Sequence, residues 1–180
     1  MRVFYAIEFE QEIKDYLFSI QQEVKKYCTG GNFSHKENFH LTLRFIGEQN
    51  PQQVAVLQKA LYEIAAGLKG FELKLNKLGN FNKGNKKIIW LGLEHSLGLQ
   101  KLYQKLEGVL EKAGYTKENR GYTPHITLAR EVRLDEKAMD PGNLNISKEL
   151  RIHAKSISLM ESARVNDKLT YTAIDQAELL

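Results

Sequence analysis

Residues 37–48 read E-N-F-H-L-T-L-R-F-I-G-E. Phe39, Leu41, Leu43 and Phe45 alternate with Asn38, His40, Thr42 and Arg44. Alternate residues of a strand share a face, so the spacing predicts a strand with one apolar side and one side carrying His40, Thr42 and Arg44. One such strand has an ordinary explanation. Antiparallel sheets bury one face and wet the other, and a single H-x-T on a wet face means little because motifs this short recur by accident.

The chain says the same thing twice. Residues 122–130 read Y-T-P-H-I-T-L-A-R, so His125-Ile126-Thr127-Leu128 repeats His40-Leu41-Thr42-Leu43. Five histidines and seven threonines in 180 residues give about 0.2 H-x-T matches by chance. Two copies of one strand, facing across a cleft, would bring two histidines and two threonines to a common point.

The rest of the chain is consistent with a mixed fold. Alternation predicts strands over 2–10, 71–79, 87–94, 124–132, 149–162 and 169–175. Helical spacing predicts helices over 11–28, from Asn50-Pro51 to about 68, and over 97–113. The loop 80–86 and the turns at Pro141-Gly142 and 164–168 complete the pass. Strands paired this often in sequence argue for α+β with antiparallel pairs rather than a doubly wound parallel sheet. A length of 180 residues suits one domain, residues 1–180, in two pseudo-symmetric lobes that each contribute one H-x-T strand.

Composition excludes several classes. At 42% hydrophobic and 27% charged the chain reads as globular rather than disordered. Glu8 and Glu10 interrupt any signal-peptide core, and no apolar run is long enough for a membrane, so a cytoplasmic protein without membrane attachment is expected. Cys28 is the single cysteine and reads as a small buried hydrophobe. A net charge of +4 is compatible with a phosphate-bearing partner.

Two histidines titrate near neutrality, so one can take a proton while the other gives one. Thr42 and Thr127 lie two residues on, about 7 Å along the same face, where their hydroxyls can donate to non-bridging oxygens. A phosphodiester is an anion with an attacking oxygen, a leaving oxygen and two non-bridging oxygens. A zinc site needs three or four ligands, and the same-face neighbours of these histidines offer no carboxylate or thiol, so no metal is expected. The absence of a G-x-S-x-G elbow argues against a serine hydrolase, Gly79–Lys86 lacks the adjacent Gly-Lys and the Ser/Thr of a phosphate loop and reads as a turn, and no cofactor is expected.

The paired motifs resemble the two-histidine phosphoesterases, and more closely the RNA 2′,3′-cyclic phosphodiesterases historically called 2′-5′ RNA ligases. The resemblance extends through R-V-F-Y-A-I-E, F-E-L-K-L-N-K-L-G-N-F, I-I-W-L-G-L, S-L-M-E-S-A-R and L-T-Y-T-A-I. It implies a bilobal α+β fold, with two antiparallel sheets facing across a basic cleft and helices outside. It implies metal-independent opening of a terminal 2′,3′-cyclic phosphate on RNA to a 2′-phosphate. His40 would be the proton donor, His125 the proton acceptor, and Thr42 and Thr127 the phosphoryl-oxygen contacts. Arg130 resembles a phosphate-contacting arginine of the family, although five residues from His125 it has the wrong parity unless the strand ends or bulges. A glycine common in relatives at the last turn is absent, and Asn166 or Asp167 could supply the left-handed conformation.

Other candidates are secondary. Arg44 is expected in the cleft by parity with His40, Phe45 in the core by parity with Leu41, and Tyr122 in either place as a base-stacking group. Lys83, Lys86 and Lys87 could track an RNA backbone, and Arg151, His153 and Lys155 could line a cleft, though solvated faces explain both sets. His35, His95 and His153 lack a following x-Thr and read as surface histidines. The expected partner is RNA with a 2′,3′-cyclic phosphate end, tRNA fragments included, acted on by a monomer. Alternative uses of the site are 2′-5′ joining of tRNA halves, hydrolysis of a small cyclic nucleotide, or RNA or nucleotide binding without turnover.

Overall fold

A computed structural model describes residues 1–135, 137, 139 and 144–180. The turn expected at Pro141-Gly142 lies outside the described residues. The order is β1 (Arg2–Glu8), α1 (Gln11–Lys25), β2 (Cys28–Thr29), β3 (Asn32–Phe33), β4 (His40–Glu48), α2 (Pro51–Ala65), β5 (Phe71–Leu73), β6 (Leu75–Lys83), β7 (Lys86–Leu93), α3 (Leu97–Lys112), β8 (His125–Leu134), β9 (Ile152–Ala154), β10 (Ser156–Val165) and β11 (Lys168–Glu178). Every pairing among the described residues is antiparallel. The α+β expectation stands.

One sheet runs β11-β10-β1-β4 and carries His40. A second runs β2-β8-β7-β6, with β3 also on β8, and carries His125. The expected strand 71–79 divides into β5 and β6, and 149–162 divides into β9 and β10. The short β5 and β9 pair with each other as a separate two-stranded sheet.

Local chemistry explains the helices. Asn50 accepts from the Gln53 backbone while the Gln53 side chain accepts from the Asn50 backbone, and Pro51 opens α2. In α1 the residues Ile13, Leu17, Ile20 and Val24 fall on one buried stripe. Ser96 caps α3. Beyond its end, Gly114 adopts φ of 91°, the left-handed conformation that glycine takes without steric cost.

The helices tie to different sheets. The Tyr5 hydroxyl donates to the Leu57 carbonyl of α2 at 2.7 Å, within the core. Gln21 of α1 is 1% exposed, and its amide donates to the carbonyls of Leu128 and Ser34, both at 2.8 Å. A buried amide is stable only with its partners in place, so Gln21 holds α1 against β8. Cys28 is half-buried in β2 against the core, and burial pushes its thiol pKa up. The β10–β11 turn places both Asn166 and Asp167 at positive φ, 49° and 61°. This is the primed hairpin geometry, taken here without glycine.

Candidate functional site

His40 and His125 each open a strand, and each ring is held the same way. The Nδ1 of His40 lies 2.7 Å from the Asn38 carbonyl oxygen, and the Nδ1 of His125 lies 2.7 Å from that of Thr123. A carbonyl only accepts, so in the neutral ring the proton sits on Nδ1 and Nε2 carries the lone pair. The Nε2 of His40 lies 2.8 Å from the Thr42 hydroxyl oxygen, which donates to it. His125 Nε2 and the Thr127 hydroxyl have no partner among the described residues.

Aromatic rings wall both imidazoles. Phe4 and Tyr171 lie 5.0 and 5.1 Å from the His40 ring, and Phe81 and Trp90 lie 5.1 and 5.8 Å from that of His125. The Trp90 indole lies over Gly79, where an added Cβ would meet the ring at 2.2 Å. Glycine at 79 is therefore what lets the indole reach its place beside His125.

These walls remove water, and removing water penalises the charged imidazolium. Burial drives the His40 pKa down from 6.5 to about 4, with the Asn38 hydrogen bond opposing and the charges of Arg130, His125 and Lys14 adding to the fall. Burial also lowers His125, again with Arg130 adding to it. Arg130 thus lies within electrostatic reach of both histidines, and of Tyr171 as well.

Arg130 reaches this position through a bulge. Trp90 pairs with Thr127 but Ile89 pairs with Ala129, so β8 spends two residues where β7 spends one. Leu128 is the extra residue, and the alternation inverts after it. Leu128 and Ala129 are both buried, while Arg130 is exposed on the side of His125 and Thr127. A second irregularity follows, with Glu131 at φ 57°.

The same device operates in β4. Ala6 pairs with Thr42 but Tyr5 pairs with Arg44, which makes Leu43 the extra residue. Two parity expectations are thereby corrected. Arg44 turns away from His40 to the side of Tyr5, where its side chain is 10% exposed and pairs with Glu107 at 3.4 Å and Glu118 at 2.9 Å. Phe45 leaves the core. It lies beside Phe4 on the His40 side, 45% exposed, with the Arg2 guanidinium 4.8 Å from its ring centre. Tyr122 stacks on Tyr103 at 4.1 Å and donates to the Thr42 carbonyl at 3.0 Å.

Position five after each histidine, Phe45 in one strand and Arg130 in the other, therefore joins positions zero and two on the cleft side. The peripheral candidates fall elsewhere. Lys83 and Lys86 face Glu131 at 3.2 and 3.9 Å, Arg151 and His153 face Glu72, and Lys155 faces Glu10. Phe4, Tyr171, Phe81 and Trp90 surround the histidines, and Arg2 lies over Phe45, without having been singled out from sequence. Their only signal is alternation within β1, β6, β7 and β11, which any half-buried strand displays. Among the described residues no group of three or more His, Cys, Asp or Glu could hold a metal ion. No helix among them is long and apolar enough to cross a membrane.

Two antiparallel sheets that each bring an H-x-T strand to a shared site define a phosphoesterase class. The LigT-like phosphoesterase family model matches residues 7–90, which hold the first motif. An RNA 2′,3′-cyclic phosphodiesterase of Thermotoga maritima is 33% identical over 131 residues, covering 72% of this chain and 70% of that one. The Methanocaldococcus jannaschii protein of the same name is 27% identical over 180 residues, covering 98% and 99%. Escherichia coli LigT complexed with 3′-AMP superposes with a TM-score of 0.80 at 25% identity, over 99% of this chain and 97% of that one. The chain belongs to the LigT-like phosphoesterase family and is a phosphodiesterase.

Proposed function

We propose that the chain hydrolyses a terminal 2′,3′-cyclic phosphate on RNA to a 2′-phosphate, without a metal ion. The observation that carries this reading is the matched pair of imidazoles, each with Nδ1 anchored to a carbonyl two residues upstream, so that among the described residues Nε2 of His125 is open and Nε2 of His40 meets only the Thr42 hydroxyl. His125, whose Nε2 is unengaged, takes the proton of the attacking water. His40 protonates the departing 3′-oxygen, and Thr42 and Thr127 hold the non-bridging oxygens.

Both rings are neutral in the empty site, so His40 must gain a proton when substrate binds. The phosphodiester supplies the reason. Its negative charge beside the ring offsets part of the desolvation cost and raises the pKa. Arg130, central to both histidines, counters the substrate charge as the phosphate contact. Phe45 offers a stacking surface on the same side, in keeping with single-stranded RNA as substrate. The names of the relatives point to RNA ends of this kind, the 3′-AMP complex of E. coli LigT points to a nucleotide-sized site, and tRNA fragments are one source of such ends in our reading. We place the activity in a monomer in the cytoplasm, with the two sheets as the pseudo-symmetric lobes.

The test is a short RNA ending in a 2′,3′-cyclic phosphate, incubated in excess chelator with wild type, His40→Ala and His125→Ala. Wild type should yield the 2′-phosphate, and each variant should be slower on the order of 10²–10⁴-fold. Loss of wild-type activity in chelator, or a 3′-phosphate product, would overturn the reading.

A further inference from the structure

The segment between α3 and β8, residues 115–124, has no helix or strand of its own, yet it delivers His125 to the site. Its position is set by contacts to β4 and the residue after it. The Tyr115 hydroxyl donates to the Gln49 side-chain oxygen at 2.8 Å. Arg44 donates to the Thr116 carbonyl at 2.5 Å and pairs with Glu118 at 2.9 Å and with Glu107 of α3 at 3.4 Å. Glu107 accepts from the Glu118 backbone at 3.1 Å. Tyr122, braced by Tyr103, donates to the Thr42 carbonyl. The next residue is Thr123, whose carbonyl oxygen holds Nδ1 of His125.

A short covalent and hydrogen-bonded path therefore links the motifs: Thr42 carbonyl, Tyr122 hydroxyl, Thr123 carbonyl, His125 ring. The two histidines lie on strands of different sheets, so their relative placement depends on connections of this kind. We propose that Arg44, Glu107 and Tyr122 are positioning residues, forming a strut that sets the orientation of His125 relative to the His40 strand. Arg44 and Tyr122 then act from behind the motif rather than on substrate. The inference rests on the two-histidine reading above.

Charge gives the strut a property that apolar packing lacks. Arg44 is a planar fork whose Nη2 donates to the Thr116 carbonyl while Nε and Nη1 form ion pairs, outside hydrogen-bond geometry, with the carboxylates of Glu107 and Glu118. Replacing such a buried cluster by apolar side chains of similar size is often neutral for stability, whereas removing one partner is not. Stability and positioning can therefore be separated. The double variant Arg44→Met/Glu107→Leu removes the fork and its buried counter-charge together and leaves Glu118 free to turn to solvent. Tyr122→Phe removes a single hydroxyl.

Two readouts decide it. The first is kcat and KM on the cyclic-phosphate RNA. A displacement of about 1 Å at a reacting group can cost on the order of 10²-fold, so kcat of the double variant should fall about that far with KM held within about threefold. Tyr122→Phe, which loses one hydrogen bond, should fall about tenfold. The second is the His125 tautomer, read by nitrogen NMR without substrate. Wild type should show the Nδ1–H form, and both variants should show Nε2–H appearing. If the double variant does not fold, Tyr122→Phe carries the test alone. Unchanged kcat and tautomer in a folded variant overturn the strut, as does a fall in kcat with the His125 tautomer intact. If wild type opens no cyclic phosphate the reading of function fails, while the tautomer still decides whether the strut orients the ring.

Discussion

The neutral state of His40 makes a quantitative prediction about stability. Its pKa falls from 6.5 to about 4 on folding. A base with a depressed folded pKa binds its proton more readily when unfolded, so stability is lost as pH falls from the unfolded value through the folded one. Between pH 7 and pH 5 the linkage relation gives a loss of about 2 kcal/mol from this ring. That figure is a ceiling, because His40 keeps part of its surface exposed in the folded chain. The assay is urea unfolding of wild type and His40→Asn at the two pH values and constant ionic strength. With a slope of about 2 kcal/mol per molar urea, the wild-type midpoint should drop by up to about 1 M more than that of the variant. His125, lowered for the same reason, adds a further loss of the same sign in both proteins. Parallel midpoints in wild type and variant would refute burial of a neutral His40, and with it the need for proton uptake on substrate binding.

Other expectations follow from single contacts. In Arg130→Met the positive charge that depresses both histidines is gone, so the His40 and His125 resonances should titrate at higher pH by proton NMR, and unchanged titration would remove Arg130 from the site. Gly79→Ala drives a Cβ into the Trp90 ring and should lower stability by about 1–3 kcal/mol. The same variant should slow turnover, because Trp90 flanks His125; a normal melting temperature would sink this. Tyr5→Phe removes the bond from the buried hydroxyl to the Leu57 carbonyl, which keeps its bond within α2, and should cost about 0.5–1.5 kcal/mol in denaturant unfolding.

Some of the site was legible in sequence and some was not, for identifiable reasons. His40, Thr42, His125 and Thr127 follow from period-two alternation because each motif is short and regular up to its third residue. The bulges come immediately afterwards, at Leu43 and Leu128. Both are buried leucines at positions where a core leucine is expected, so no glycine or proline marks the irregularity. Parity carried past them fails by one residue, which is why Arg44 and Phe45 exchanged sides, whereas Arg130 required a bulge to reach the cleft at all. The long strands appear near their expected places because alternation within a strand is local. The three-residue β5 and β9 pair across some 80 residues, and so short a run carries too little pattern to separate it from its neighbours. Tyr171 was missed because its partner His40 comes from a strand 131 residues earlier, and only the sheet order brings them together.

That sheet order also governs how the site comes into being during synthesis. β1 is made before β4 and β10, yet it lies between them, and the ring that stands with Phe4 against His40 is Tyr171 of β11. Until the β10–β11 hairpin leaves the ribosome, β1 has an open edge and His40 has water where Tyr171 will stand. His125, though made earlier than the hairpin, waits on the same event for its counterpart. A nascent chain ending before residue 156 should therefore carry both motifs and no activity, and the paired-histidine site should form only after β10 and β11 are made, through contacts distant in sequence rather than local ones.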